Sequence, residues 1–211
     1  QNSSKEEEKD IGSKRSDMSN RVLYAELTPQ EFRERIAEAP IAYLPLGTLE
    51  WHGEHLPLGA DGLQSQGFFE QLAREAGGIV LPMLFLGVDR MLKGEKRDLY
   101  GMDICTDRPQ DQAYENQQLT GSAYWVPNDL FAAILRATLK QLRRAGFRIV
   151  VGHGQGPSTS FFRDHAAEWK KAYDLDTFAC WGSPFDEQGL GIQVDHAAMN
   201  ETSLVMALRP E

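Results

Sequence analysis

The sequence predicts an α/β fold: a three-layer αβα sandwich on a mostly parallel sheet, with helices on both faces. Two observations predict it. Short apolar strand-like segments alternate with helix-like segments along the whole chain. Side chains able to do chemistry (Glu50, His52 and His153) follow directly on strand-like segments, and ligands in parallel sheets gather beyond the C-terminal strand ends.

The elements follow in order. Residues 1–21 are polar and lack periodicity, which predicts a disordered tail ahead of one domain over residues 22–211. Thr28, Pro29 and Glu31 form a capping-box pattern that opens a helix. Residues 41–46 read as a buried strand. Residues 62–76 have helical spacing through Leu63, Phe68 and Leu72 and stop at Gly77 and Gly78. Residues 79–84 read as a second strand. Residues 87–126 show no clear period and hold Tyr100, Tyr114, Tyr124 and Trp125, as a functional or mobile loop would.

The clearest helix covers residues 128–145. Asn128 is its expected cap, Phe131, Ile134, Leu135, Thr138 and Leu142 its buried stripe, and Gly146 its stop. A strand over 147–151, a helix over 158–173 with Phe162, Ala166 and Trp169 inward, a strand over 177–181 and a helix over 201–208 complete the chain.

The formal charge is −9. Five acids and five bases cancel within residues 1–21, so the folded body carries all of it. That argues against nucleic acid or an anionic membrane as partner. No apolar run approaches a membrane span. Cys105 and Cys180 are too few for a disulfide framework, and Cys180, in an apolar run, is expected to be a buried thiol. The chain starts at Gln1 rather than Met, which leaves a cytoplasmic and an exported location both open.

The densest chemistry lies in Leu44-Pro-Leu-Gly-Thr-Leu-Glu-Trp-His-Gly-Glu-His-Leu-Pro-Leu-Gly-Ala-Asp61. In an extended segment residues two apart point to the same side, so Glu50 and His52 converge. Asp61 follows at the start of a helix. Carboxylates with imidazole suit zinc, manganese or iron. An isolated Glu-x-His pair would be an ordinary solvated loop; the full block favours a metal site.

This block resembles the creatininase family of metal-dependent amidohydrolases. Two further segments agree in order: Val151-Gly-His-Gly-Gln-Gly156, and His196-Ala-Ala-Met-Asn-Glu-Thr-Ser203. The resemblance covers about residues 22–211, and relatives continue a few tens of residues further. It implies that Glu50, His52, Asp61, His153 and Glu201 hold one or two divalent ions, with Asp61 bridging two. It implies that His196 protonates a leaving nitrogen, that His55 supports the ligands, and that Gln155, Trp181 and Ile192 stand where the substrate is read. His165, inside a helix with no motif around it, is expected to be structural. It further implies a small-molecule amide substrate and a homo-oligomer, a hexamer in the family.

Departures accompany the match. Gln155 stands where creatininase itself has a glutamate, Gly156-Pro157 replace the usual Asn, Ala198-Met199 replace Gly-Glu, and Ile192 replaces a tryptophan. The reading that follows is a hydrolase of a cyclic or small amide C–N bond that does not act on creatinine. A peptidase-like relative and a metal- or ligand-binding member without turnover are the alternatives.

Overall fold

A computed structural model describes residues 21–88, 92–93, 98–104, 113–180 and 196–210. Residues 1–20, Cys105, Trp181 and Ile192 lie outside them.

The central sheet is parallel throughout. Its main strands are β1 (Ile41–Gly47), β2 (Ile79–Val80), β8 (Ile149–Gly154) and β9 (Asp176–Ala179), in the order β2-β1-β8-β9. A fifth strand, β3 (Leu84–Phe85), pairs with the far end of β1. The β1–β8 register runs from Ile41 opposite Ile149 to Leu46 opposite Gly154.

Helices cover both faces. β1 alternates, so Ala42, Leu44 and Leu46 enter the larger core while Tyr43 faces the smaller one. The larger core receives Phe131, Leu135, Leu139 and Leu142 from α3 (Asn128–Ala145), Phe162 from α4 (Gly156–Asp164) and Trp169 from α5 (Ala166–Tyr173). On the other face Phe69 and Ala73 of α2 (Ala60–Ala76) pack on Tyr43 and Val80. The last helix, α6 (Met199–Leu208), lies on α2, with Leu208 against Gly67. The first helix, α1 (Pro29–Glu38), carries the predicted capping box: the Glu31 amide donates to Thr28 Oγ1, and the Thr28 amide donates to the Glu31 carboxylate at 2.7 Å.

Several boundaries differ from the sequence expectation. Residues 79–84 do not form one strand; the chain breaks after Val80 and resumes at Leu84. The strand expected at 147–151 starts later and runs on, so His153 lies within β8 and not beyond it. The helix expected over 158–173 is two helices meeting at His165. The His165 ring stacks on Phe161 and Trp169 there, which agrees with a structural role. Asn128 is not the cap of α3: Pro127 precedes the first turn, with no side-chain cap bond. Leu139 joins the buried stripe, while Ile134 and Thr138 are only half-buried. Cys180 is exposed just past β9, which is a sheet edge among the described residues. The 87–126 stretch contains short ribbons, β4 (Gly87–Val88) with β7 (Trp125–Val126) and β5 (Leu92–Lys93) with β6 (Asp98–Leu99).

Gly154 closes β8 with φ +143°, a conformation side chains rarely adopt, and a Cβ there would sit 1.5 Å from the Leu46 carbonyl oxygen. The turn that ends β8 beside β1 therefore requires glycine. Gly154→Ala should cost about 2–4 kcal/mol in urea unfolding. A loss below about 1 kcal/mol would mean that the β1 end yields freely.

Candidate metal centre

The site forms where β1 leaves the sheet and α2 begins. Two glycines bring these pieces together. A Cβ on Gly47 would meet the Gly62 backbone at 2.9 Å, so the first turn of α2 packs directly on the end of β1. Asp61 lies in that first turn, where the helix dipole favours a carboxylate.

The loop between carries Glu50 and His52. It is held from the 116–126 stretch: the Ala123 amide donates to the Leu49 carbonyl at 2.7 Å, and the Trp51 amide donates to Ser122 Oγ at 3.2 Å. The His52 ring is fully buried, and its Nδ1 donates to the Glu50 carbonyl at 3.0 Å. A carbonyl can only accept, so the proton sits on Nδ1 and Nε2 is the face left for a ligand.

Nε2 of His52 lies 3.4 Å from Asp61 Oδ2 and 3.4 Å from Glu201 Oε1. Nε2 and Oδ2 are buried, and neither has a hydrogen-bond partner among the described residues. Two sets of ligand atoms gather within 4.8 Å of one another: Glu50, His52 and His196, and His52, Asp61 and Glu201. Buried polar atoms are nearly always paired. One imidazole and two carboxylates aimed at a shared volume fit a divalent cation.

Electrostatics point the same way. Burial alone would push the His52 pKa down, but the Asp61 and Glu201 carboxylates, each 3.4 Å from Nε2, win and hold it at about 11. Burial works against the Asp61 charge, yet His52 brings that carboxyl below its ordinary value. Glu50 is pushed well above the usual carboxylate range by burial and then by the Asp61 charge. The cluster without metal thus carries protons that a cation would displace.

His196 stacks on His52 with ring centroids 4.2 Å apart. Its Nε2 donates to the Trp51 carbonyl at 2.9 Å. Burial, and then the charge on His52, lower its pKa. His55 stands apart, exposed, with Nε2 3.2 Å from Thr202 Oγ1.

Two expected site residues fall outside those ligand groups among the described residues. His153 is buried, but its ring packs against Phe68 and Phe69, with centroids 5.4 and 5.9 Å away. It lies outside both ligand groups among the described residues. Gln155 turns its side-chain carbonyl to Ser158, accepting from the amide at 3.0 Å and the hydroxyl at 2.9 Å, and so caps α4.

The structure adds residues that sequence reasoning missed. Gln64 Nε2 donates to Glu201 Oε1 at 2.8 Å, and Ser65 Oγ donates to the His153 carbonyl at 2.6 Å. Both share the buried face of α2 with Asp61, three and four residues on; that spacing was the available signal. Gln64 and His153 also line an apolar cavity of 440 Å³ bounded by Phe68, Leu72, Cys180 and Leu204.

Comparison with known proteins finds relatives of one kind. Residues 25–101 match the creatininase family model, described as creatinine amidohydrolase. A creatinine amidohydrolase of Pseudomonas putida is 24% identical over 219 residues, covering 92% of this chain and 74% of that protein. A manganese creatininase structure superposes with TM-score 0.61 at 22% identity, covering 90% of this chain and 73% of the other. A glutamate-to-glutamine mutant creatininase of Zn-Zn type superposes with TM-score 0.63 at 21% identity, covering 89% and 72%.

Proposed function

This chain belongs to the creatininase family of amidohydrolases, and from that premise we propose that it is a metal-dependent hydrolase of a small or cyclic amide C–N bond other than creatinine. The observation that carries the reading is the convergence of His52 Nε2, Asp61 Oδ2 and Glu201 Oε1 in a buried volume, with no hydrogen bond among the described residues to satisfy the first two. Glu50, His52, Asp61 and Glu201 would hold the cation; His153 remains in the set by resemblance alone. Zinc, manganese and iron all suit these ligands, and similarity to manganese and Zn-Zn creatininases favours the first two. A divalent ion there supplies electrophilic polarisation of a carbonyl and a water acidified for attack.

The chain's own residues do the rest. Glu50, Asp61 and Glu201 set the negative charge that holds a cation, and the Glu50 carbonyl fixes the His52 ring. His196 is kept neutral by burial, with its one proton lent to the Trp51 carbonyl. A neutral imidazole beside the cluster takes a proton from the attacking water and returns it to the departing nitrogen. The C–N bond breaks as the oxygen of that water, with its second proton, stays on the carbonyl carbon and the transferred proton ends on the nitrogen, so acid and amine together account for the amide and the water.

Creatinine should be a poor substrate. A flat ring gains on the order of 1 kcal/mol from an aromatic face beyond simple burial, and Ile192 has none to offer. Gln155 cannot carry the charge of a glutamate, and its side chain is engaged in capping α4. The test is turnover of creatinine and of a panel of small amides by protein loaded with zinc and with manganese. Creatinine rates of roughly 1–1000 per second would overturn the exclusion. No turnover of any amide by metal-loaded protein would favour a binding member.

Self-association is proposed as well. α6 exposes Met199 and Met206, and β9 exposes Phe178, more apolar surface than solvated elements need. Light scattering that finds only monomer at micromolar concentration would refute it.

A further inference from the structure

We propose that Gln64 is a positioning residue that holds the Glu201 carboxylate in the orientation a divalent cation requires. The inference rests on the metal reading above, and adds to it a residue outside the ligand set.

Gln64 is buried on α2, and its Nε2 donates to Glu201 Oε1 across 2.8 Å. The partner lies 137 residues away on α6, so this bond ties the two helices at the site. The Ala197 amide donates to the other oxygen, Oε2, at 2.6 Å. Ala197 has φ 55°, an unusual backbone state for a residue with a Cβ, and that turn aims its amide at Glu201. Two donors from two elements thus fix both oxygens and the carboxylate plane.

A carboxylate oxygen accepts more than one bond. Oε1 therefore keeps capacity for a cation after accepting from Gln64, and it lies 3.4 Å from His52 Nε2. Glutamine suits the position for two reasons. It donates at every pH, and it adds no further negative charge to three carboxylates. α2 consequently serves the site twice: Asp61 directly, and Glu201 through Gln64 one turn later. Packing alone would give Gln64 a different signature, because it also forms part of the wall of the apolar cavity, where leucine would serve as well.

The test is a double-mutant cycle on manganese(II) affinity, read by electron paramagnetic resonance titration of the full chain. Gln64→Leu keeps the bulk and removes the donor. It should weaken manganese binding by roughly 10–100-fold, the usual loss when a ligand's orienting partner is removed, with an unchanged circular dichroism spectrum. In a Glu201→Ala background the same change should add almost nothing, because its effect passes through Glu201. An equal further loss in that background, or no loss in the first, overturns the proposal. If Gln64→Leu does not fold, Gln64→Met reads the same point, since a thioether keeps the length of the side chain and cannot donate. A separate readout needs no metal. The Gln64 side-chain amide protons should be protected from solvent exchange in the nuclear magnetic resonance spectrum of the metal-free protein, and should shift on Glu201→Ala. An unprotected, unmoved amide overturns the proposal even where manganese binds. Failure of the wild-type chain to bind manganese or zinc while that amide stays protected sinks the metal reading instead.

Discussion

Replacing Asp61 by alanine should strip the divalent metal from the protein. Asp61 Oδ2 stands 3.4 Å from His52 Nε2 and has no hydrogen bond of its own among the described residues. Its charge is already favoured by His52, which brings its carboxyl below the ordinary range despite burial. Loss of a ligand's partner costs roughly 10–100-fold in affinity, so loss of the ligand itself should cost at least about 100-fold. Protein purified without chelator should carry at least about half an equivalent of metal per chain if the site is complete. Asp61→Ala should carry only traces by elemental analysis. His55→Ala is the comparison, because His55 is exposed and bonds to Thr202, outside both ligand groups among the described residues. It should leave occupancy near the wild-type level. Equal losses in the two variants would mean that the ligand set is misassigned.

Metal affinity should rise steeply with pH across the neutral range, by about tenfold per pH unit for each proton displaced. Metal-free His52 has a pKa of about 11, so it is an imidazolium at neutrality and must lose a proton to bind. Glu50, raised well above the carboxylate range by burial and by Asp61, holds its proton more tightly than a free carboxyl does and adds to the release. The sign for folding stability is opposite. His52 binds its proton more tightly folded than unfolded, where its value is 6.5. Its contribution to the metal-free fold is therefore fully present below 6.5 and is lost as pH rises through about 11. Calorimetric titration with zinc in buffers of different ionisation enthalpy counts the protons directly. Affinity that stays flat between acidic and mildly alkaline pH would show that His52 is not protonated in the metal-free cluster. Thermal melts should agree, with the metal-free protein weakening toward alkaline pH and the loaded protein holding its stability.

The layered architecture was legible because its determinants are local. The alternation of apolar runs with 3.6-residue periods needs no distant contact, and the Thr28 capping box and the Gly146 stop are written within four residues. Boundaries were less legible where a distant partner decides them. β8 extends through His153 because Pro45 and Leu46 of β1 offer a pairing edge, and Gly154 meets the Leu46 carbonyl. Helix α4 ends at Asp164 and α5 begins at Ala166, around a His165 ring seated between Phe161 and Trp169.

The same division runs through the site. By itself the sequence determined that Glu50, His52 and Asp61 belong together, since a two-residue spacing and a following helix start are properties of one short segment. Only the tertiary structure decided the rest. It brings Glu201 of α6 to His52, seats His196 on the His52 ring, and draws Gln64 into the carboxylate network. It also packs the His153 ring against Phe68 and Phe69. The physical reason is range: side-chain direction along one strand or one helix follows from its period, whereas a contact between segments far apart in the chain depends on how whole layers pack.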